Sequence, residues 1–344
     1  MSTIHAMHGA SALGAIRAIR ERLRQGSLLR GAVRAMPVFG VLIAVLVWTA
    51  ILNPNFTRPP VFLALVRFAV PLMLLAVGQL FVIVAGEFDL SVGSLVTAVV
   101  ALAAGLGDGD PSRTWWLVPM LVALGAAVGL INGLVTAKLG VPSFIATLGM
   151  MLVLSGAVLY WTGGAMLGYV PDNLRAVGRG NLTGIPWIER LPYAVIVMVV
   201  VLGGAAWLRH GTDFGHRLVA VGSSARVAAL SGVNVARVRI TAFVVSSVLA
   251  VIAGIVLGGI VGVSPHAGLG YEFQAISAAV LGGAVLGGGR GAVVPVAAGA
   301  LALQAIFSLL NLLGVADPVR HAFQGAILIG AVALSSYGIR RRGS

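Results

Sequence analysis

From Met36 onward the chain alternates long apolar runs with short breaks of charge, glycine and proline. A helix needs about 20 apolar residues to cross a hydrocarbon core of roughly 30 Å. The breaks place such segments at residues 36–52, 62–85, 90–106, 115–137, 143–163, 191–208, 239–263, 274–286, 292–310 and 319–337. This pattern predicts an all-α polytopic membrane protein of about ten transmembrane helices with both termini on one side. The period-two alternation with regular turn signals that marks a membrane barrel is missing from the sequence, so helices are the expected spanning element. The eighth run is short and glycine-rich, and it reads as a re-entrant or broken helix buried among its neighbours.

Composition agrees with lipid as the main solvent: 59% of residues are hydrophobic and 10% are charged, where a soluble domain carries about a quarter charged. The 47 glycines suit close helix packing in lipid. A formal charge of +13 raises the question of nucleic acid, but the arginines cluster at the ends of apolar runs rather than along one polar face, so no nucleic-acid partner is expected. With no cysteine in the sequence, a disulfide framework, thiol catalysis and cysteine-ligated metal sites are excluded.

Charge also sets an orientation. With a cytoplasmic N-terminus, sixteen Lys and Arg fall inside and seven outside, as the positive-inside rule requires. Trp48, Trp115, Trp116, Trp161 and Trp187 then lie at or beyond outer ends of the runs, where an aromatic belt belongs. Residues 1–35 form a basic cytoplasmic tail, too long in its basic part for a cleaved signal peptide. Within it Leu13, Ile16, Ile19 and Leu23 recur at helical spacing between arginines, which fits either a helix on anionic membrane lipid or a disordered tail. The membrane-spanning body is expected over 36–337, a cytoplasmic loop over 209–238 and a short C-terminal tail over 338–344.

The chain also matches itself. Gly125–Gly156 superimposes without gaps on Gly299–Gly330, with Leu139-Gly140-Val141 over Leu313-Gly314-Val315. These segments lie five runs apart and so run in opposite senses, which predicts two inverted halves near 62–163 and 239–337. Glu87-Phe88-Asp89 and Glu272-Phe273-Gln274 are a further echo.

Candidate chemistry is sparse. The stretch Gly86–Ser94 sets Glu87 and Asp89 between apolar runs, where acids are costly and usually functional. The competing reading is that Asp89 or Ser91 caps the following helix, with Glu87 favoured by the same helix dipole. Glu87, Asp89 and Ser91 are candidates to line a solute path, and so are Asn132, Ser143, Thr147, Gln274, Gln304 and Asn311, although hydrogen bonding between helices accounts equally for these last six. In the 209–238 loop, Ser223 starts and Gly232 stops a short helix, a shape suited to docking a partner. The run Gly282–Gly291 lacks the lysine and spacing of a phosphate loop and reads as a tight turn. Neither a nucleophile–base pair nor a metal-ligand spacing is apparent, so no enzyme activity and no cofactor are expected.

These motifs resemble the permeases of ribose-type ABC sugar importers, a group within the larger family that includes branched-chain amino-acid permeases. The resemblance rests on GEFDLSVGS (Gly86–Ser94), VPSFIATLGMM (Val141–Met151), VAVGSSARVAALSGVNVARVR (Val219–Arg239), YEFQAISAAVLGGAVLGGGRG (Tyr271–Gly291) and NLLGV (Asn311–Val315), in the family's order and spacing. It implies a type II importer permease fold in the bacterial inner membrane and a second permease copy, with a homodimer expected. A periplasmic solute-binding protein would dock outside. Two cytoplasmic ATPase subunits, the users of ATP and magnesium, would dock on Ser223, Ser224, Arg226, Leu230, Ser231, Gly232, Val233 and Asn234. A monosaccharide or related polyol is the implied cargo. The family often has small or apolar residues where Glu87 and Phe88 stand and an acid where Gln274 stands, which implies a solute preference different from typical pentose or hexose carriers. The DLSVG core favours the sugar branch. A proton-driven transporter relaying through Glu87 and Asp89 is the rival from another class; a nucleoside or branched-chain amino-acid permease is the other alternative.

Overall fold

The computed structural model describes residues 36–165, 168–185 and 188–316, with four short pieces between 318 and 330. The basic tail and its expected surface helix, Trp187, most of the run at 319–337 and the tail at 338–344 lie outside the described residues. The described residues are mostly helical. The apolar helices are α1 (Met36–Leu52), α2 (Pro59–Val84), α3 (Val92–Gly107), α4 (Thr114–Ala137) and α5 (Ser143–Thr162). After a polar excursion come α7 (Tyr193–His210), α10 (Val235–Val261), α11 (Tyr271–Leu281) and α12 (Val293–Leu312). Six of them, α2, α4, α5, α7, α10 and α12, are long and apolar enough to cross a membrane, while α1 and α3 are apolar but shorter.

Between these lie pieces that hydropathy does not announce. At one end of the bundle, α6 (Asp172–Arg179) leads into an antiparallel hairpin of β1 (Asn181–Ile185) and β2 (Ile188–Pro192). At the opposite end, α8 (Asp213–Ser223) and α9 (Ala225–Leu230) connect α7 to α10. Thr212 caps α8 by accepting from Gly215 N, and Ser224 caps α9 by accepting from Val227 N. These side chains satisfy amide groups that a helix start leaves without partners.

The core gathers around α10, which packs on α2, α3, α4 and α6. Its contact with α4 is a glycine seam: Gly125, Gly129 and Gly133 recur every four residues on one face of α4. A Cβ on Gly129 would come 2.6 Å from Phe243 O, and one on Gly133 would come 2.7 Å from Ile240 Cα. Lipid supplies no hydrophobic force between helices, so backbone approach of this kind supplies the packing. At the hairpin end Gly178 of α6 meets Gly259, and Arg179 donates from Nε and Nη2 to Ile260 O at 3.0 and 2.8 Å. That guanidinium closes the C-terminal end of α10 with favourable charge.

Two helices begin inside the bundle rather than at its ends. The eighth run, expected over 274–286, is helical only as α11; its 11 residues span about 16 Å, roughly half a bilayer core. The segment before it, residues 262–270, turns back from the end of α10, and Gly268 N donates to the buried Thr97 Oγ1 of α3 at 3.0 Å. Gly282 ends α11 against the backbone of Val296, and Gly283 (φ 84) begins the expected tight turn to α12. The start of α3 is likewise internal, because residues 86–91 leave α2 and run back along it.

Candidate functional site

Residues 86–91 hold the buried chemistry. Gly86 takes φ 85 and reverses the chain after α2, a conformation open to glycine without steric cost. Asp89 then lies fully buried. Its Oδ1 accepts from Ser91 N at 3.0 Å and Ser91 Oγ at 2.6 Å, and its Oδ2 accepts from Ser246 Oγ of α10 at 3.3 Å. The side-chain amide of Gln79, buried in α2, pairs with both backbone atoms of Asp89: nitrogen to Asp89 O and oxygen to Asp89 N, each at 3.2 Å. Asn132 Nδ2 of α4 donates to Ser91 Oγ at 2.9 Å. From α5, Ser143 Oγ accepts from Phe88 N at 3.1 Å, and Thr147 Oγ1 lies 3.5 Å from Phe88 O while donating to Ser143 O at 2.8 Å. Four helices thus satisfy the polar groups of one broken segment, as non-helical backbone inside a membrane protein requires.

This geometry refines the expected cap. Ser91 occupies the N-cap position of α3 but makes no side-chain cap hydrogen bond. Asp89 does the work from two residues earlier by accepting from Ser91 N, while Ser91 Oγ is directed to the carboxylate. Glu87 does not join the cluster; its Oε1 lies 3.1 Å from Arg239 Nε in the first turns of α10. Of the expected path residues, Asp89, Ser91 and Asn132 come together and Thr147 borders them. Gln274 and Gln304 are half-buried and Asn311 is exposed, and no side-chain hydrogen bond joins these three to the cluster among the described residues. Gln79 and Ser246 are the members that sequence reasoning missed, both being single polar letters within long apolar runs. Glu272, in the first turn of α11, is also buried; its Oε1 accepts from Gly270 N at 3.3 Å, and its Oε2 abuts Gly93 of α3.

The second feature is the α8–α9 pair. Ala228 is buried, but Arg226, Val227 and Leu230 project outward, with Val227 61% and Leu230 83% exposed. Gly232 (φ 79) ends α9, Ser231 Oγ donates to Val227 O at 3.0 Å, and Asn234 Oδ1 accepts from Arg237 N at 2.9 Å to start α10. Val233 N returns to Ala228 O at 3.0 Å, so Ser231–Asn234 is a compact elbow. Ser223 and Ser224 form the joint between the two helices. Below it Gly222 packs on the last carbonyl of α2 and on Gly289, whose amide donates to that same Val84 O at 2.9 Å. The outward face of α9 therefore rests on a junction of α2, α8 and the α11–α12 turn.

Residues 61–332 match the family described as branched-chain amino acid transport system / permease component. The chain is 37% identical over 303 residues to the ribose import permease protein RbsC of Escherichia coli K12, covering 86% of this chain and 92% of that one. It is 36% identical to RbsC of Bacillus subtilis 168 (87% and 91%) and 32% identical to the autoinducer 2 import system permease protein LsrC of Klebsiella pneumoniae (88% and 86%). No solved structure matches the chain. The chain belongs to this permease family, on its ribose-type ABC sugar-importer side, and is a multi-pass inner-membrane transport component. That membership decides against the proton-driven reading of Glu87 and Asp89.

Proposed function

We propose that this protein is the membrane-spanning subunit through which an ATP-driven importer passes a monosaccharide or related polyol into the cell. The observation that carries this reading is similarity along almost the whole chain to import permeases named for ribose and autoinducer 2, with similarity to the L-arabinose transport system permease protein AraH of E. coli over 77% of the chain. In this reading the α8–α9 end faces the cytoplasm with both termini, and the hairpin end faces the periplasm. Two ATPase subunits dock on α9 through Arg226, Val227 and Leu230, and hydrolyse ATP with their own magnesium; this subunit has no ATP site. A periplasmic binding protein delivers the solute and sets specificity, and two permease copies flank the path.

The glycine geometry supports the two inverted halves. Gly140 and Gly314, superimposed by the internal match, take φ 71 and 72 and follow the ends of long helices, two residues past the C-cap of α4 and one past that of α12. The expected count of about ten spans includes the run at 319–337, most of which lies outside the described residues. Alternating access then follows from rocking of these halves. ATP binding shifts the rocking equilibrium through the ATPases' differential affinity for nucleotide in their two states, and hydrolysis supplies the free energy that resets it.

The test is reconstitution of the permease with its ATPase and binding protein in proteoliposomes. ATP hydrolysis should rise when the binding protein is loaded with sugar, and Leu230→Asp should abolish that rise while the permease remains folded. Uptake by the chain alone, driven by a proton gradient and abolished by an uncoupler, would overturn the importer reading.

A further inference from the structure

Four ion pairs occur among the described residues. Three are local and exposed: Asp110–Arg113, Asp172–Arg175 and Asp213–Arg217 join residues three or four apart at helix starts. Such pairs contribute little. The fourth, Glu87–Arg239, joins side chains far apart in sequence and only 11% and 27% exposed. Partly shielded from water, it is screened less by salt than the exposed pairs, and loss of one partner leaves the other charge in a poorer solvent for it.

Its position gives it a use. Arg239 and Ser246 are seven residues apart on α10 and so lie on one face, two turns apart. Glu87 and Asp89 are two residues apart on an extended segment, and each meets one of them, Glu87–Arg239 at 3.1 Å and Asp89–Ser246 at 3.3 Å. Residues 87–89 thus meet α10 at two points, by an ion pair at Arg239 and by a hydrogen bond at Ser246. At the N-terminal end of α10, the elbow Ser231–Asn234 separates it from α9, the outward docking surface. Following residues 87–89, Gly93 of α3 abuts Gly268 and the buried carboxylate of Glu272, at the start of α11. One continuous set of contacts therefore runs from α9 through the first turns of α10 and the Glu87–Arg239 pair to the internal starts of both short helices.

We propose that Glu87 and Arg239 are positioning residues that carry displacement of the docking helix into the broken segment, so that movement of α10 pulls residues 86–91 and the start of α3 with it. Glu87 in this view does not line the solute path, and its acidic side chain is selected by Arg239 rather than by cargo. The inference rests on the importer reading above.

The experiment uses the complete importer in proteoliposomes and measures solute delivered per ATP hydrolysed, with thermal unfolding of each permease as a control. Glu87→Arg and Arg239→Glu should each lower that ratio by about tenfold, within the usual range of a coupling free energy, and the double exchange E87R/R239E should recover most of it. If either exchange fails to accumulate, the cycle Glu87→Gln, Arg239→Gln and both together carries the comparison; each single change should lower the ratio and the double should be no worse than either. A double variant whose loss is the product of the two single losses overturns the proposal, as does a loss of uptake and hydrolysis in equal proportion. A wild-type complex without ATP-dependent uptake overturns the importer reading, and this inference with it, before any variant is compared.

Discussion

Asp89 is a carboxylate buried in a membrane protein whose hydrogen-bond donors are all neutral: the Ser91 amide, the Ser91 hydroxyl and the Ser246 hydroxyl. A relay group would need a route for its proton, whereas this side chain is spent on holding a chain break shut. Asparagine can reproduce the arrangement, since its oxygen accepts from Ser91 and its nitrogen can donate to the Ser246 hydroxyl, which accepts as well as donates. Asp89→Asn should therefore keep thermal stability in detergent close to the parent. Asp89→Ala should lower it by about 1–3 kcal/mol, the cost of buried donors left without an acceptor. Equal stability of the two variants would show that the network does not hold the break. The sequence displayed Asp89 and Ser91 as a polar interruption, and capping by one or the other was among the readings it offered; Asp89 takes that role and Ser91 does not. It did not display Ser246, 157 residues away, or Gln79, because a lone polar residue in an apolar run has no spacing that names its partner.

At the scale of elements, the α4–α10 seam depends on absent side chains. A Cβ on Gly129 would meet backbone, 2.6 Å from Phe243 O and 2.7 Å from Val244 Cα, and backbone cannot yield as a flexible side chain does. Gly149 of α5, on an apolar helix of the same bundle, faces open space. Gly129→Ala should therefore destabilise the permease by about 1–3 kcal/mol through overpacking, while Gly149→Ala should be neutral or slightly stabilising through helix propensity; thermal unfolding of both in one detergent checks the contrast. The long helices were legible because apolar runs ended by glycine, proline or charge mark a spanning helix from both sides. Four elements were not. The apolar letters of 274–286 continue past the point where Gly282 leaves the helix, so hydropathy overran α11 at one end, and at the other missed its first turn with the charged Glu272. The hairpin of β1 and β2 and helix α6 lie in polar sequence that a search for spans passes over. Helix α8 carried a visible start signal, Thr212 followed by Asp213, but its arginine and histidine placed it with the loop.

For the molecule as a whole, the arrangement is a glycine-packed centre between two dissimilar ends. One end presents α9 with Arg226, Val227 and Leu230 exposed; the other presents α6, the hairpin and the exposed Trp48, Trp115 and Trp161. In the proposed orientation the first end faces the cytoplasm, a reading supported by arginine placement along the sequence and by the exposed face of α9. The natural chain contains no cysteine, so single cysteines introduced into it report position without background. Leu230→Cys, on α9, should react with a membrane-impermeant maleimide only in inside-out vesicles. Thr183→Cys, on the exposed side of β1, should react only in intact spheroplasts. The reverse pattern would invert the molecule and move α9 away from any cytoplasmic ATPase, so the importer mechanism and the coupling role of Glu87 and Arg239 both stand on this one assignment. Addition of the ATPase subunits sharpens the result: labelling of Leu230→Cys in inside-out vesicles should fall as they dock, while labelling of Thr183→Cys in spheroplasts, on the far side of the glycine-packed core, should be unchanged.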